Sequence, residues 1–122
     1  MFKKLVIVVV SASLLFGCNS VLLGRYGEQN QTLEAFTQRV ENVFKFQNSM
    51  TNAVILMETE PSSMILDAEQ KMQSVCEPLN EYASREMDGL STDFTLQKRV
   101  EKTAISCEKA AQKLQTLLLS AH

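Results

Sequence analysis

Cys76 and Cys107 are the residues of this sequence whose type and spacing most strongly suggest a covalent role. Neither cysteine belongs to a Cys-x-x-Cys motif, and the single histidine, His122, is near neither of them in sequence. An isolated, even pair of this kind forms a structural disulfide in an oxidising compartment. Two buried free thiols and a redox pair are the alternatives. The sequence predicts the disulfide.

Other residues that could do chemistry are scattered. Met50, Met57 and Met64 are spaced by sevens, and thioethers bind Cu(I). Pro61 separates Met64 from the other two, which favours core packing or a soft protein-binding surface over a metal site. His122 has no following helix to hold it as a haem ligand or a member of a catalytic triad. We therefore expect neither an enzyme nor a metal site, and no catalytic residue.

Composition excludes one further class. The 122 residues include 12 Lys and Arg against 14 Asp and Glu. This mild acidity argues against a nucleic-acid binder, which would carry a basic stripe. With only four glycines and two prolines, the chain favours helices.

The first residues have the pattern of a secretory signal. Lys3 and Lys4 precede an apolar run from Leu5 to Leu15 that only small residues interrupt. At about 1.5 Å per residue the run is too short for a hydrocarbon layer of about 30 Å, but it has the length of a signal-peptide core. Residues 1–17 are therefore predicted to be a signal peptide. Without them the net charge is −4, because ten basic and fourteen acidic residues remain.

The end of that segment, Leu15-Phe16-Gly17-Cys18, resembles the lipobox of bacterial lipoproteins. The resemblance implies that the Cys18 thiol receives a diacylglycerol, that the signal is cut before Cys18, and that the new amine is acylated, for example with palmitate. Asn19 stands where lipoproteins retained in the inner membrane carry an aspartate. The resemblance thus implies a protein anchored in the outer membrane and facing the periplasm. The lipid is the only cofactor expected.

Residues 18–29 are predicted to be a lipidated tether, and residues 30–122 a helical domain. The tether contains Gly24 and Gly27 and has little periodicity. It would reach roughly 35 Å if extended, so the domain would work near its membrane. Val21-Leu22-Leu23 is an apolar stretch that would alternatively dock on the membrane or on the bundle.

Apolar residues in steps of three and four predict the helices of this domain. The first is expected from about Gln31 to about Met57, before the break at Pro61. Its seam contains one polar exception, Gln47, and comprises Leu33, Phe36, Val40, Val43, Gln47, Met50, Val54 and Met57.

The second helix is expected to begin at Ser62 or Ser63 and to end near Gly89, a suitable left-handed cap. Pro78 predicts a kink or a break there, the latter giving four segments in all. Its seam comprises Ile65, Ala68, Met72, Val75, Leu79 and Tyr82.

The third helix is expected to be capped by Ser91 or Thr92. Its seam comprises Leu96, Val100, Thr103, Cys107, Ala110, Leu114 and Leu117, and small residues would let a neighbouring helix approach closely.

Together these features predict an all-α, antiparallel up-down bundle of three long helices, the second kinked or broken at Pro78. The Cys76–Cys107 disulfide would join the second and third helices. Counted from the predicted helix ends, the two cysteines differ in height by about 6 Å, which an offset between the helices would absorb.

For function, an anchor, a short tether and a bundle without a catalytic constellation predict a non-enzymatic envelope protein that acts by binding another protein. In size, anchor and helical content the chain is similar to the pilotin lipoproteins that escort secretins to the outer membrane. The alternative is an inhibitor, immunity or exclusion lipoprotein of a mobile element. An extra-wide apolar face on the first helix predicts a partner-binding groove that comprises Phe36, Val40, Phe44, Phe46 and Met50.

Overall fold

The computed structural model describes residues 31–121, and they form the predicted all-α bundle. Its helices are α1 (Leu33–Ile55), α2 (Ser63–Met87) and α3 (Phe94–Ser120). Each boundary that the sequence predicted lies within two residues of the expectation. None of these helices is long and apolar enough to cross a membrane.

Side-chain caps define where the helices begin. Thr32 Oγ1 accepts a hydrogen bond from Ala35 N at 3.2 Å, and Ser62 Oγ accepts one from Ile65 N at 3.3 Å. Each satisfies an amide that has no partner within its helix. Ser62, one of the two predicted caps, is therefore the cap of α2.

The cap of α3 is Asp93, so the prediction of Ser91 or Thr92 was wrong. Asp93 Oδ1 accepts a hydrogen bond from Leu96 N at 2.7 Å. A carboxylate is at least as good an N-cap as a hydroxyl, and its negative charge also interacts favourably with the helix dipole. Three acceptable caps in a row, from Ser91 to Asp93, left the choice open in the sequence.

Gly89 ends α2 as predicted, with φ of 69°. Leu90 N donates to Arg85 O at 2.8 Å and Gly89 N donates to Glu86 O at 3.3 Å, the two hydrogen bonds of a Schellman motif. The left-handed conformation is accessible to glycine without the cost that a Cβ imposes. The chain therefore turns sharply here, before α3.

Pro78 lies inside α2, and the helix is continuous through it. The expectation of a fourth segment is therefore not met. Proline removes one amide donor, but Cys76 and Leu79 beside it are fully buried against the bundle. α3 contacts α2 more extensively than it contacts α1. Packing on both sides of Pro78 thus holds the helix together.

Contacts between the helices establish the up-down arrangement. Gln47 contacts Asn80, and Thr51 further along α1 contacts Gln73 further back along α2. The numbering rises on one helix as it falls on the other, so α1 and α2 are antiparallel. Short connections make α2 and α3 antiparallel in the same way.

The core follows a slightly longer period than the predicted seam. In α3 the buried positions include Ala104, Ala111 and Leu118, whereas the heptad-like prediction had placed Thr103, Ala110 and Leu117 there. A straight α-helix has 3.6 residues per turn, so a seam of period 3.5 drifts by about 20° per heptad. In α2 the same shift buries Cys76, where the prediction had placed Val75. In α1 the buried residues all belong to the predicted seam: Phe36, Val40, Val43 and Gln47.

Candidate functional site

Cys76 and Cys107 lie at disulfide-bonding distance in the centre of the bundle. Their Sγ atoms are 2.01 Å apart, their Cα atoms are 4.8 Å apart, and both residues are fully buried. Cys76 lies eleven residues before the end of α2, and Cys107 lies thirteen residues after the start of α3. The late start of α3 reduces the expected height difference to about 3 Å. The pair is inaccessible to a substrate, which gives it the character of a structural cross-link.

A groove with an apolar floor runs between the first half of α1 and the end of α2. It has a volume of about 450 Å³. Its apolar lining is Val40, Phe44, Tyr82, Ala83 and Met87, and its polar and charged lining is Thr37, Glu41, Lys45 and Glu86. Along α1 the groove extends from Thr37 to Lys45, which is eight residue steps or about 12 Å. This length matches two turns of an amphipathic helix laid into it.

Lys45 and Glu41 form one side of the groove. Lys45 Nζ lies 2.6 Å from Glu41 Oε1, and both side chains are more than half exposed. An exposed pair one turn apart contributes only a few tenths of a kcal/mol to stability. Both charges thus stay available to a partner at little cost to the fold.

Tyr82 is the tyrosine among the residues that line the groove. Burial of the phenol, and then the negative charge of Glu86, raise the pKa of Tyr82 above its ordinary value. The hydroxyl therefore stays protonated well into alkaline conditions and can donate a hydrogen bond to a bound group.

A second cavity lies on the other side of α1, beside α3. It has a volume of about 530 Å³, and its lining includes Val43 and Phe46. The ion pair of Arg39 with Glu108 joins the two helices there, with side chains 22% and 32% exposed. This lining is more polar than that of the groove, because it also includes Gln31, Gln38 and Asn42.

The structure divides the predicted partner-binding residues among three locations. Phe36 is 1% exposed and lies in the core, so it presents no surface to a partner. Val40 and Phe44 line the groove between α1 and α2, while Phe46 lines the cavity beside α3. Met50 packs against the core. A helix surface wider than the core stripe has two flanks, and the sequence prediction had merged them into one groove.

Gln47, the polar exception in the predicted seam, is completely buried. Its Nε2 donates a hydrogen bond to Asn80 Oδ1 across the α1–α2 interface. Buried polar pairs of this kind fix the register of packed helices. The sequence signal was the interrupted seam itself, but nothing in the sequence identified Asn80 as the partner.

The methionines do not converge on one position. Met72 is fully buried, Met50 and Met57 pack against the core, and Met64 is 64% exposed. Within residues 31–121 no three His, Cys, Asp or Glu side chains are grouped as metal ligands.

Two predicted features lie outside the described residues. One is the N-terminal part of the chain, with the signal peptide, Cys18 and the tether; the other is His122. Comparison of the chain with protein-family models, with curated proteins and with solved structures found no match.

Proposed function

We propose that this chain is a non-enzymatic lipoprotein of the bacterial outer membrane that binds another envelope protein. The proposed contact is an amphipathic helix of the partner, laid into the groove between α1 and α2. The observation that carries this proposal is the combination, in one open groove, of apolar and charged lining residues.

The floor can supply binding energy. A partner side chain that covers Phe44 and Met87 removes apolar surface from water, which contributes about 25 cal/mol per Å² before the costs of association. Aromatic rings and methionines also suit such a contact, since they present large surfaces that adapt to a partner.

The edges can supply orientation. Glu41 and Glu86 carry negative charge, and Lys45 carries positive charge. Exposed charges at the edge of an interface mainly set register and association rate, and contribute little to affinity. A partner helix with a basic residue facing Glu86 would be favoured in one direction along the groove.

The anchor places this groove near the membrane. Thr37 and Val40 lie within the first turns of α1, a few residues after the proposed tether. A lipidated Cys18 would therefore hold the groove within tens of ångströms of the membrane surface.

Photo-crosslinking in the native host tests the groove. A crosslinking amino acid at Phe44 should give a discrete adduct with one protein, and the same amino acid at exposed Phe94 should not. Ala83→Arg, which places a long side chain in the groove, should abolish the adduct. Ser84→Arg is the matched control, because Ser84 is the exposed neighbour that does not line the groove. An adduct that survives Ala83→Arg would refute this site.

Metabolic labelling tests the anchor separately. Wild-type protein should incorporate a palmitate analogue and fractionate with the outer membrane, and Cys18→Ser should lose both properties. A Cys18→Ser protein that still matured at the same residue and stayed in the membrane fraction would contradict the proposed lipidation.

A further inference from the structure

Exposed apolar side chains occur at both ends of the bundle, and five of them lie at the far end, away from the start of α1. Leu56 is 79% exposed, and Ile55 and Leu119 are each 72% exposed. Met64 and Leu66 in the first turn of α2 are also exposed. We name this surface, defined by these five residues, the distal surface.

The topology brings these residues together. Ile55 ends α1, and Leu56 begins the short connection to α2. Met64 and Leu117 line one shallow cavity between α2 and α3, so the end of α3, with Leu119, lies beside the start of α2. The distal surface lies about 33 Å from the start of α1, since twenty-two residue steps of about 1.5 Å separate Leu33 from Ile55.

Charge identifies what this surface would accept. No lysine or arginine occurs between Lys45 and Lys71, a stretch that contains the end of α1, the connection and the start of α2. The acidic residues of that stretch are Glu58, Glu60, Asp67 and Glu69. Glu58 and Glu60 are exposed in the connection, next to Ile55 and Leu56 along the chain. The basic residues nearby, Lys71 and Lys113, lie on α2 and α3, where they line the cavity with Asp67.

We propose that the distal surface binds a positively charged amphipathic segment of another protein. Apolar side chains of that segment would cover Ile55, Leu56 and Leu119, while its lysines or arginines would face Glu58 and Glu60. Complementary charge steers such an encounter and disfavours partners of the same sign.

Two other occupants are disfavoured by the same charges. An anionic lipid surface would be repelled by Glu58 and Glu60. A second copy of the chain related by two-fold symmetry would bring identical acidic surfaces together. The distal surface is also separate from the groove between α1 and α2, so each proposal can fail without the other.

The test uses the mature chain with Cys18→Ser and a fluorescent synthetic helix of leucine and lysine, with its leucine/glutamate counterpart as the control peptide. Anisotropy should detect binding of the lysine peptide at low salt and little binding of the glutamate peptide. Glu58→Lys with Glu60→Lys should weaken binding of the lysine peptide by about tenfold, and Ile55→Ser with Leu56→Ser by a similar factor.

Matched controls at the other end of the bundle make the result specific. Glu34→Lys with Asp88→Lys, and separately Leu90→Ser, alter exposed residues there and should change binding by less than about twofold. Ala83→Arg in the groove should likewise leave peptide binding unchanged. Circular dichroism should show all variants folded, since each altered position is outside the core.

Several results would overturn the proposal. These are equal binding of both peptides, equal loss in the distal and control variants, or no binding of the lysine peptide. A wild-type dimer that the distal variants convert to monomer would assign the surface to a second copy instead. Flotation of the wild-type protein with anionic vesicles, lost in the distal variants, would assign it to lipid.

Discussion

Opening the Cys76–Cys107 disulfide should destabilise the bundle severely without changing its fold class. The bond closes a loop of 31 residues that contains the end of α2, the turn at Gly89 and the start of α3. In the chain-entropy treatment, a cross-link over such a loop stabilises the folded state by about 3.7 kcal/mol at 25 °C, because it restricts the unfolded chain. For a domain of this size that corresponds to about 15–30 °C in melting temperature.

The cleanest perturbation is reduction, because it leaves both side chains in place. Urea unfolding of the mature Cys18→Ser chain, followed by circular dichroism with and without a phosphine reductant, would give both free energies of unfolding. The Cys76→Ala/Cys107→Ala variant measures the additional cost of lost packing. In that variant the reductant should have no effect, which makes it the control.

A difference of less than about 1 kcal/mol between the unfolding free energies of oxidised and reduced protein would refute the reasoning. It would mean that the cross-link hardly restricts the unfolded chain, as when the reduced unfolded chain already retains structure. The bond itself is checked independently by mass spectrometry. The oxidised chain should be two hydrogens lighter than the reduced chain, and thiol labelling of unreduced protein in denaturant should fail.

Three further predictions concern single side chains. In a Tyr26→Phe background, ultraviolet absorbance should show Tyr82 titrating above the ordinary pKa of tyrosine, because burial and Glu86 disfavour the phenolate. The folded state then holds the phenol proton more tightly than the unfolded state. The contribution of Tyr82 to the free energy of unfolding is therefore fully present below about pH 10, and it is lost as the pH rises through the pKa of Tyr82 in the folded state. If the stability of Tyr82→Phe depended on pH in the same way, this reasoning would be contradicted. Asp93→Ala should destabilise the protein by about 1 kcal/mol in urea unfolding, through loss of the α3 cap, whereas Asp93→Ser should retain most of it. Gly89→Ala should cost about 1–2 kcal/mol because of the left-handed backbone alone, since no atom lies within 4 Å of an added Cβ, and an unchanged melting temperature would show that the turn relaxes.

Local signals in the sequence predicted most of the architecture. The break after α1 at Pro61, the cap at Ser62 and the turn at Gly89 can each be predicted from one or two residues, because capping and turn formation involve only neighbours along the chain. The apolar spacing likewise predicted three helices, since an amphipathic period is a property of the helix alone. The pairing of Cys76 with Cys107 followed from their being the only two cysteines after Cys18.

Two local choices that the sequence left open were decided by the structure. Asp93 replaced Ser91 or Thr92 as the cap of α3, although all three residue types can cap a helix. The helix through Pro78 stayed continuous, because burial of its neighbours outweighs the loss of one hydrogen bond. At Pro78 the outcome depends on contacts of α2 with the other helices, which the one-dimensional pattern does not contain.

The number of helices, most of their limits and the turn at Gly89 follow from short-range chemistry, and the pairing of Cys76 with Cys107 follows from the cysteine count, so the chain alone carries that information. Which flank of α1 forms a groove, and which residue pairs with Gln47, depend on how three helices rotate against one another. Phe36 is buried in the core, whereas Phe44 lines the groove and Phe46 lines the cavity beside α3. The physical reason is that the burial of a side chain depends on which neighbouring helix covers it, and the apolar pattern of a single helix does not contain those neighbours.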